Sequence, residues 1–260
     1  KGTNLYYHMY SGQKPESLAA VKIHLDDART SAVIPIAASE YAAIANAFYN
    51  VDMQQTGAET WKILNRGPLN TVRFDDSERR TIDYARSIGV LGHTSHNDAL
   101  YVALDPAIDR PVIDLAPAST ESPRPYLVGS RWQISNLQTG DCAFTFKARG
   151  FGPGDMEWGG LRPGRYATIV KKSTGQSALL ADAMVDPTGE LKIALPAEGI
   201  DGVNVTVHCL DKARVATTPV SKPVKQTAAS ARKKASPTGQ SNIKPPARST
   251  STTKSGPWVQ

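Results

Sequence analysis

Short strand-forming segments dominate residues 51–211, and this pattern constrains the fold more than any other feature of the chain. The segments are rich in β-branched, aromatic and aliphatic residues; examples are TWKIL, NTVRF, ALYVAL, CAFTFKA, RYATIVKK and VNVTVHCL. Turn-forming groups separate them, such as RPG at residues 162–164 and DPTG at residues 186–189. Many short strands between such turns predict an antiparallel β-sandwich or jelly-roll domain over residues 51–211. Within it, residues 79–87 are predicted to form a short helix or helical turn.

Residues 1–50 have a different, α/β pattern. Residues 4–10 (NLYYHMY) and residues 32–37 (AVIPIA) are apolar runs short enough for buried strands. A helix is predicted after each run, because Pro15 suits a first helical position and Ser39 can cap the next helix. Alternating strands and helices are the repeat of a parallel α/β fold. Two such units cannot close a barrel, so we expect further units before this segment.

The basic character of the chain resides in residues 212–260. This stretch holds ten Lys or Arg and no Asp or Glu, whereas the whole chain has a formal net charge of +6, which leaves residues 1–211 at −4. The stretch is rich in Pro, Ser and Thr and has no apolar periodicity, so it is predicted to be a disordered tail. Its cations would contact a polyanion in a salt-dependent way, without specific recognition of nucleic acid.

The two cysteines and the hydropathy bear on location. Cys142 and Cys209 both lie in predicted strands, and they either pair across a sheet in an oxidising compartment or stay buried as thiols. No apolar run approaches the ~18–20 residues of a transmembrane helix. The chain has no signal peptide, but its start at Lys1, close to an apolar run, predicts truncation, so this absence says little about secretion.

Two sets of short motifs occur on either side of residue 50. The first set is NLYYHMYSGQ at residues 4–13, KPESL at 14–18 and ASEYA at 38–42. The second set, in order between residues 61 and 102, is WKI, RG, TVR, GVLG and LYV. Together they resemble the C-terminal region of Pel-type exopolysaccharide deacetylase proteins. The resemblance implies the end of a polysaccharide deacetylase-like β/α barrel over residues 1–50, followed by the family's β domain; the tail has no counterpart.

The resemblance also implies a metal-dependent deacetylase that acts on polysaccharides with N-acetylated amino sugars. In the family, a divalent, Zn-like ion activates water and a late histidine on a strand end protonates the leaving amine. His8 matches that histidine, and Tyr7 and Tyr10 beside it are the predicted substrate contacts. For His8 the alternative is a strand histidine bonded to a backbone carbonyl, and for the tyrosines it is core packing.

The family's catalytic base and metal ligands precede the position of His8. We therefore expect no metal in this chain and no deacetylase activity from it alone. The resemblance implies a periplasmic or extracellular location in bacteria, with an exopolysaccharide-export protein as a partner.

Two other motifs carry weaker indications. His93 and His96, with Asp98 nearby, have the composition of a metal clip, but a solvated loop is the favoured interpretation. The GFGPG run at residues 150–154 is not a dinucleotide fingerprint, since no helix follows it and Pro153 interrupts it. It is predicted to be a loop.

Three functions remain open at this point. The chain is a fragment of a polysaccharide deacetylase, or a non-catalytic β-sandwich module that binds carbohydrate or a partner protein, or a chain whose basic tail contacts anionic polymers. An Asp-Asp pair and a His-x3-His motif upstream of Lys1 in the full reading frame would distinguish the first from the second.

Overall fold

A computed structural model describes residues 5–31, 33–77, 79–122, 124–180, 182–196, 200–210 and 258–259. Apart from residues 258 and 259, the predicted disordered tail lies outside these ranges.

We call residues 5–50 the arm and residues 51–210 the body. The arm contains a 3₁₀ helix (Met9–Gly12), α1 (Pro15–Thr30) and α2 (Ala38–Ala47). The strands are β1 (Asp52–Gln55), β2 (Thr60–Leu64), β3 (Thr71–Phe74), β4 (Arg80–Ile82), β5 (Val90–His96), β6 (Ala99–Leu104), β7 (Val112–Pro117), β8 (Tyr126–Ser130), β9 (Gln133–Thr139), β10 (Ala143–Arg149), β11 (Gly154–Gly159), β12 (Gly164–Lys172), β13 (Ser177–Leu179), β14 (Ala183–Val185), β15 (Leu191–Leu195), β16 (Val203–Cys209) and β17 (Trp258–Val259).

The arm has the two predicted helices but not the two predicted strands. α1 begins at Pro15, as the sequence indicates. At the start of α2, the Glu40 carboxylate accepts a hydrogen bond from the Ala37 amide at 3.3 Å, a capping role that was predicted for Ser39. Residues 5–8 and 33–37 are irregular, so both strand predictions are wrong over these residues. An extended segment becomes a strand only beside a partner that satisfies its backbone groups, and none of the described strands pairs with the arm. Neither described helix is long and apolar enough to cross a membrane.

Three β-sheets form the body. Sheet I has the order β1-β2-β7-β4, sheet II has β15-β11-β8-β5-β6-β3-β17, and sheet III has β13-β12-β16-β10-β9 with β14 beside β12. Every named strand pair is antiparallel except β5 with β8. The predicted β-rich class is therefore confirmed. The short helix or helical turn predicted for residues 79–87 is wrong for Arg80–Ile82, which pairs with β7 as β4. Residues 84–86 do form a turn, in which the Ser87 amide donates to the Asp83 carbonyl at 2.9 Å.

Sheet II is shared by two hydrophobic cores. The first core packs sheet I against β3, β5 and β6; its largest buried members include Ile63, Phe74, Leu100, Leu104 and Ile113. The second core packs sheet III against β8, β11 and β15; its centre is Phe144, Phe146 and the fully buried Trp158. The single predicted sandwich is thus two sandwiches built side by side on one sheet.

Strand β5 joins the two sandwiches. Its neighbouring residues Val90 and Leu91 point to opposite faces, so Val90 belongs to the first core and Leu91 to the second. Gly92 pairs in parallel with Leu127 of β8, and a side chain at Gly92 would collide with the Leu127 backbone. A glycine is therefore required where the two halves of sheet II meet.

A disulfide closes the second sandwich. Cys142 precedes β10, Cys209 ends β16, and these antiparallel neighbours bring the two Cα atoms to 5.5 Å. The Cys209 amide also donates to the Cys142 carbonyl at 2.9 Å. The sequence was compatible with either a disulfide or two free thiols, and in the structure Cys142 and Cys209 are paired.

Candidate functional site

His8 lies in an exposed cluster of rings at the start of the arm. Its imidazole stacks on Tyr10 at 4.8 Å between ring centroids and meets the edge of Tyr6 at 5.2 Å. His8 directly precedes the 3₁₀ helix and is not on a strand end. Tyr7 and Tyr10 are also exposed, so they are not packed in a core. The roles of His8, Tyr7 and Tyr10 in a deacetylase stay predictions.

His93 belongs to a buried polar network, not to a metal clip or a solvated loop. Its Nδ1 is 2.7 Å from the Tyr84 hydroxyl, and its Nε2 is 3.0 Å from the Thr81 hydroxyl. The ring stacks on Tyr126 at 4.7 Å. His96 is exposed at the end of β5. Among the residues described, no group of three His, Cys, Asp or Glu side chains is placed to hold a metal ion.

Burial fixes the protonation state of this network. It lowers the pKa of His93 to about 4 and raises that of Tyr84 above its ordinary value. His93 is therefore neutral at pH 7, with one nitrogen that donates and one that accepts. Two hydroxyl partners satisfy both nitrogens. Arg124 covers the Tyr84 ring at 4.5 Å and donates to the Val90 carbonyl at 2.6 Å. The arrangement links β4 to β5 through hydrogen bonds, and we interpret its role as structural.

The GFGPG run forms the loop between β10 and β11, as predicted, with Gly154 as the first residue of β11. The run packs against Trp132. Side chains at Gly150 or Gly154 would collide with the Trp132 ring. The Trp132 indole N–H donates to the Gly152 carbonyl at 3.2 Å. Two of these glycines therefore make room for Trp132, a requirement that the spacing alone did not reveal.

A groove of about 760 Å³ separates the arm from the body. On the arm side it is lined by residues 34–36 and by Ile44 of α2. On the body side it is lined by Trp132 and by Phe151 of the β10–β11 loop. Its floor is the face of β3, β6 and β5 that sheet III leaves uncovered. A concavity of this size with apolar walls is the usual form of a ligand-binding site.

The floor of the groove is set by strand register. Thr94 of β5 lies opposite Tyr101 of β6, which lies opposite Arg73 of β3. In the next row on the same face, Ala103 lies between Gly92 and Thr71. Ala103 lines the groove beside Tyr101 and also packs against the second core, whereas the space next to Gly92 is filled by the Leu127 backbone.

Two arginines of the body hold the arm at the groove. Arg131 donates to the carbonyls of Ala28 and Ser31, at 3.2 and 2.9 Å, and so satisfies backbone acceptors at the end of α1. Arg149 pairs with Glu40 of α2 at 2.9 Å. These contacts give Glu40, Arg131 and Arg149 protein partners, but the Arg131 Nε is buried without one among the described residues.

Three hydroxyl groups on the floor are left without protein partners. Thr71, Thr94 and Tyr101 are half-buried, and in the described ranges none of their side-chain oxygens makes a hydrogen bond to another protein group. Sequence reasoning missed this site. Its only signal is the alternation of Thr71 and Arg73 with apolar residues in TVRF, which indicates a solvated face but not a groove.

Comparisons with protein-family models, with curated proteins and with solved structures found no match to this chain. The resemblance to the Pel-type deacetylases therefore stays a prediction.

Proposed function

We propose that the chain is the C-terminal part of an exopolysaccharide N-deacetylase. In this proposal the arm completes and contacts a catalytic β/α barrel, and the body is a non-catalytic β domain. The substrate class is polysaccharide with N-acetylated amino sugars, and an exopolysaccharide-export protein is the expected partner. The observation that carries the proposal is the apolar surface of the arm.

The arm exposes side chains that folded proteins ordinarily bury. The exposed set includes Leu18, Ile23, Leu25, Ile34, Tyr41 and Phe48, whereas Ala47 is the one buried residue within the described part of the arm. Ile23 and Ile34 are 67% and 62% exposed. Apolar side chains concentrated in this way mark a protein interaction surface. A β/α barrel is a suitable partner because its outer helices bury such faces against strands and neighbouring helices.

His8 supplies the amine-protonating group in this proposal. An imidazole with a near-neutral pKa can donate a proton to a leaving amine at physiological pH. Its described neighbours, Tyr6 and Tyr10, supply neither a second imidazole nor a carboxylate. The residues near His8 therefore do not fit a metal site, and no metal-dependent step is assigned to this chain.

The disulfide supports the proposed periplasmic or extracellular location. Disulfides persist in oxidising compartments such as the bacterial periplasm and are rare in the reducing cytosol. Cys142 and Cys209 are paired, and no free cysteine remains in the sequence.

Acetate release from partly acetylated glucosamine and galactosamine oligomers tests the proposal. The chain alone should be inert with Zn²⁺, Co²⁺ or Ni²⁺, because the part of it that the structure describes has no cluster of metal ligands to activate water. It should confer activity on the separately expressed region upstream of Lys1 in the full reading frame. His8→Ala should abolish that gain, and the control His24→Ala, on the exposed surface of α1, should keep it.

Two outcomes would refute the proposal. One is metal-dependent activity from the chain alone. The other is a gain of activity that His8→Ala leaves intact.

A further inference from the structure

We propose that the groove between the arm and the body binds an uncharged oligosaccharide. This inference does not depend on the deacetylase proposal, because it rests on the floor and walls of the groove and not on His8. It assigns a binding site to the body, with Tyr101 as the central contact.

The floor offers hydrogen-bonding groups that the protein itself does not use. The hydroxyls of Thr71, Thr94 and Tyr101 line the groove and, in the described ranges, make no hydrogen bond to a protein group. Hydroxyl groups donate and accept, which matches the hydroxyls of a sugar ring. The Arg73 guanidinium lies over the Tyr101 ring at 5.7 Å. The part of the ring that faces the groove beside Ala103 adds an apolar surface suited to the C–H face of a pyranose.

The charges around the groove favour a neutral ligand. Arg149 is paired with Glu40 at 2.9 Å, and Arg131 donates to two backbone carbonyls at the end of α1, although its buried Nε has no hydrogen-bond partner among the described residues. A charged ligand would have to break the Arg149–Glu40 pair to gain an ion pair there, whereas the Arg131 Nε can donate to an uncharged ligand oxygen. An uncharged ligand leaves the arm held in place.

A peptide that adds a strand is a poor fit to the same groove. The exposed edge of β9 borders it, but the amides of Asn136 and Leu137 on β9 already donate to the Asp105 carboxylate at 3.1 and 3.3 Å. The outer edge of β3 is paired with β17. Peptide binding by strand addition needs a free row of backbone groups, and both edges are at least partly used.

A purely apolar ligand is also disfavoured. Residues 34–36, Ile44 and Phe151 would suit a hydrocarbon, but the floor would not. A hydrocarbon seated there would remove water from three hydroxyl groups and give no hydrogen bond in return, which costs free energy. Apolar walls with a hydroxyl-lined floor suit a ligand that has both C–H faces and hydroxyl groups.

The test is isothermal titration of the full chain with tetramers of N-acetylglucosamine, N-acetylgalactosamine and glucose. Binding of at least one tetramer is expected. Tyr101→Ala should weaken it about tenfold, since one hydrogen bond and part of a ring contact are lost. Thr71→Val, which removes only a hydroxyl, should weaken it by a factor of about five. Tyr49→Ala, at an exposed position outside the groove, should leave the Kd unchanged.

A variant that adds bulk in the groove distinguishes loss of binding from loss of folding. Ala103→Leu should narrow the groove beside Tyr101 and abolish binding while the thermal melt stays cooperative. Backbone amide shifts of Thr71 and Thr94 should move on titration of the parent chain. The proposal is overturned if none of the tetramers binds, if Tyr101→Ala and Ala103→Leu bind as well as the parent, or if an anionic oligosaccharide binds in preference to the neutral ones.

Discussion

The arm and the body differ in how far they bury their large apolar side chains. The body buries Trp158 completely and surrounds it with Phe144 and Phe146, whereas the arm leaves Ile23 of α1 67% exposed. Both regions contain enough apolar residues for a core, but only the body brings its apolar surfaces face to face. The body therefore carries its own stabilising contacts, whereas the arm is held to the body by contacts of Arg131 and Arg149 and by Ala47, which packs in the first core.

Substitution of large apolar residues should separate the two regions most clearly. Trp158→Ala is expected to lower the free energy of unfolding by about 4 kcal/mol, because it leaves a large cavity in the second core. Ile23→Ala should change it by less than about 0.5 kcal/mol, because the side chain is exposed. Urea unfolding followed by tryptophan fluorescence and by circular dichroism measures both. Equal losses from the two variants would contradict the comparison.

Removal of the disulfide should have a slightly smaller effect, confined to the body. The Cys142→Ala/Cys209→Ala double variant is expected to lose about 3 kcal/mol, because the cross-link joins residues 67 positions apart and restricts the unfolded chain. Amide exchange in α1 should be the same in the variant and the parent. A double variant as stable as the parent would show that the strand pairing of β10 with β16 suffices without the bond.

A substitution at Gly92 tests whether the two sandwiches form one unit. Gly92→Ala is expected to cost about 3 kcal/mol, since its new methyl group would collide with the Leu127 backbone. Gly129→Ala in β8 is the matched control, because open space surrounds that position. Its cost should stay within about 1 kcal/mol. If both variants are equally stable, the close approach of Gly92 to the Leu127 backbone is contradicted.

The pH dependence should distinguish the buried histidine from an exposed one. Unfolded His93 binds a proton as the pH falls below 6.5, whereas folded His93 does so only near pH 4. The unfolded state therefore gains protons first, and stability should fall by about 2 kcal/mol between pH 6.5 and 4.5. In His93→Gln this part of the pH dependence should vanish. The control His24→Gln, in the arm, should keep the full loss.

Local patterns in the sequence predicted elements better than their assembly. The strand-forming composition of ALYVAL and the Pro15 signal are local, and they correctly indicated β6 and the start of α1. Residues 4–10 and 32–37 look like strands by composition, but strand formation also needs a neighbouring edge, which no local pattern reports. Likewise, the division into two cores depends on the pairing of Gly92 with Leu127, between residues distant in sequence.

The candidate functional sites also depend on contacts that local sequence patterns do not report. His93 was interpreted as part of a solvated loop because it lies in a polar stretch before a predicted strand. Its partners, Thr81 and Tyr84, come from a segment predicted to be a short helix or helical turn, so local patterns did not reveal the network. The groove depends on Arg131 and Arg149 reaching the arm over about a hundred residues of sequence. His8 was chosen through a resemblance, and its described surroundings neither supply a metal site nor bury it.

Hydrogen–deuterium exchange of α1 tests the central claim most directly, namely that the arm is an uncovered interface on an independently stable body. In the chain alone, amides of β10, β12 and β16 should exchange slowly and those of α1 quickly, because few buried contacts hold the helix. If the barrel region of the proposed deacetylase binds the arm, α1 exchange should slow by at least about tenfold while the body stays unchanged. Protection of α1 equal to that of β16 in the chain alone would contradict the claim. So would α1 exchange that the barrel region leaves unaltered.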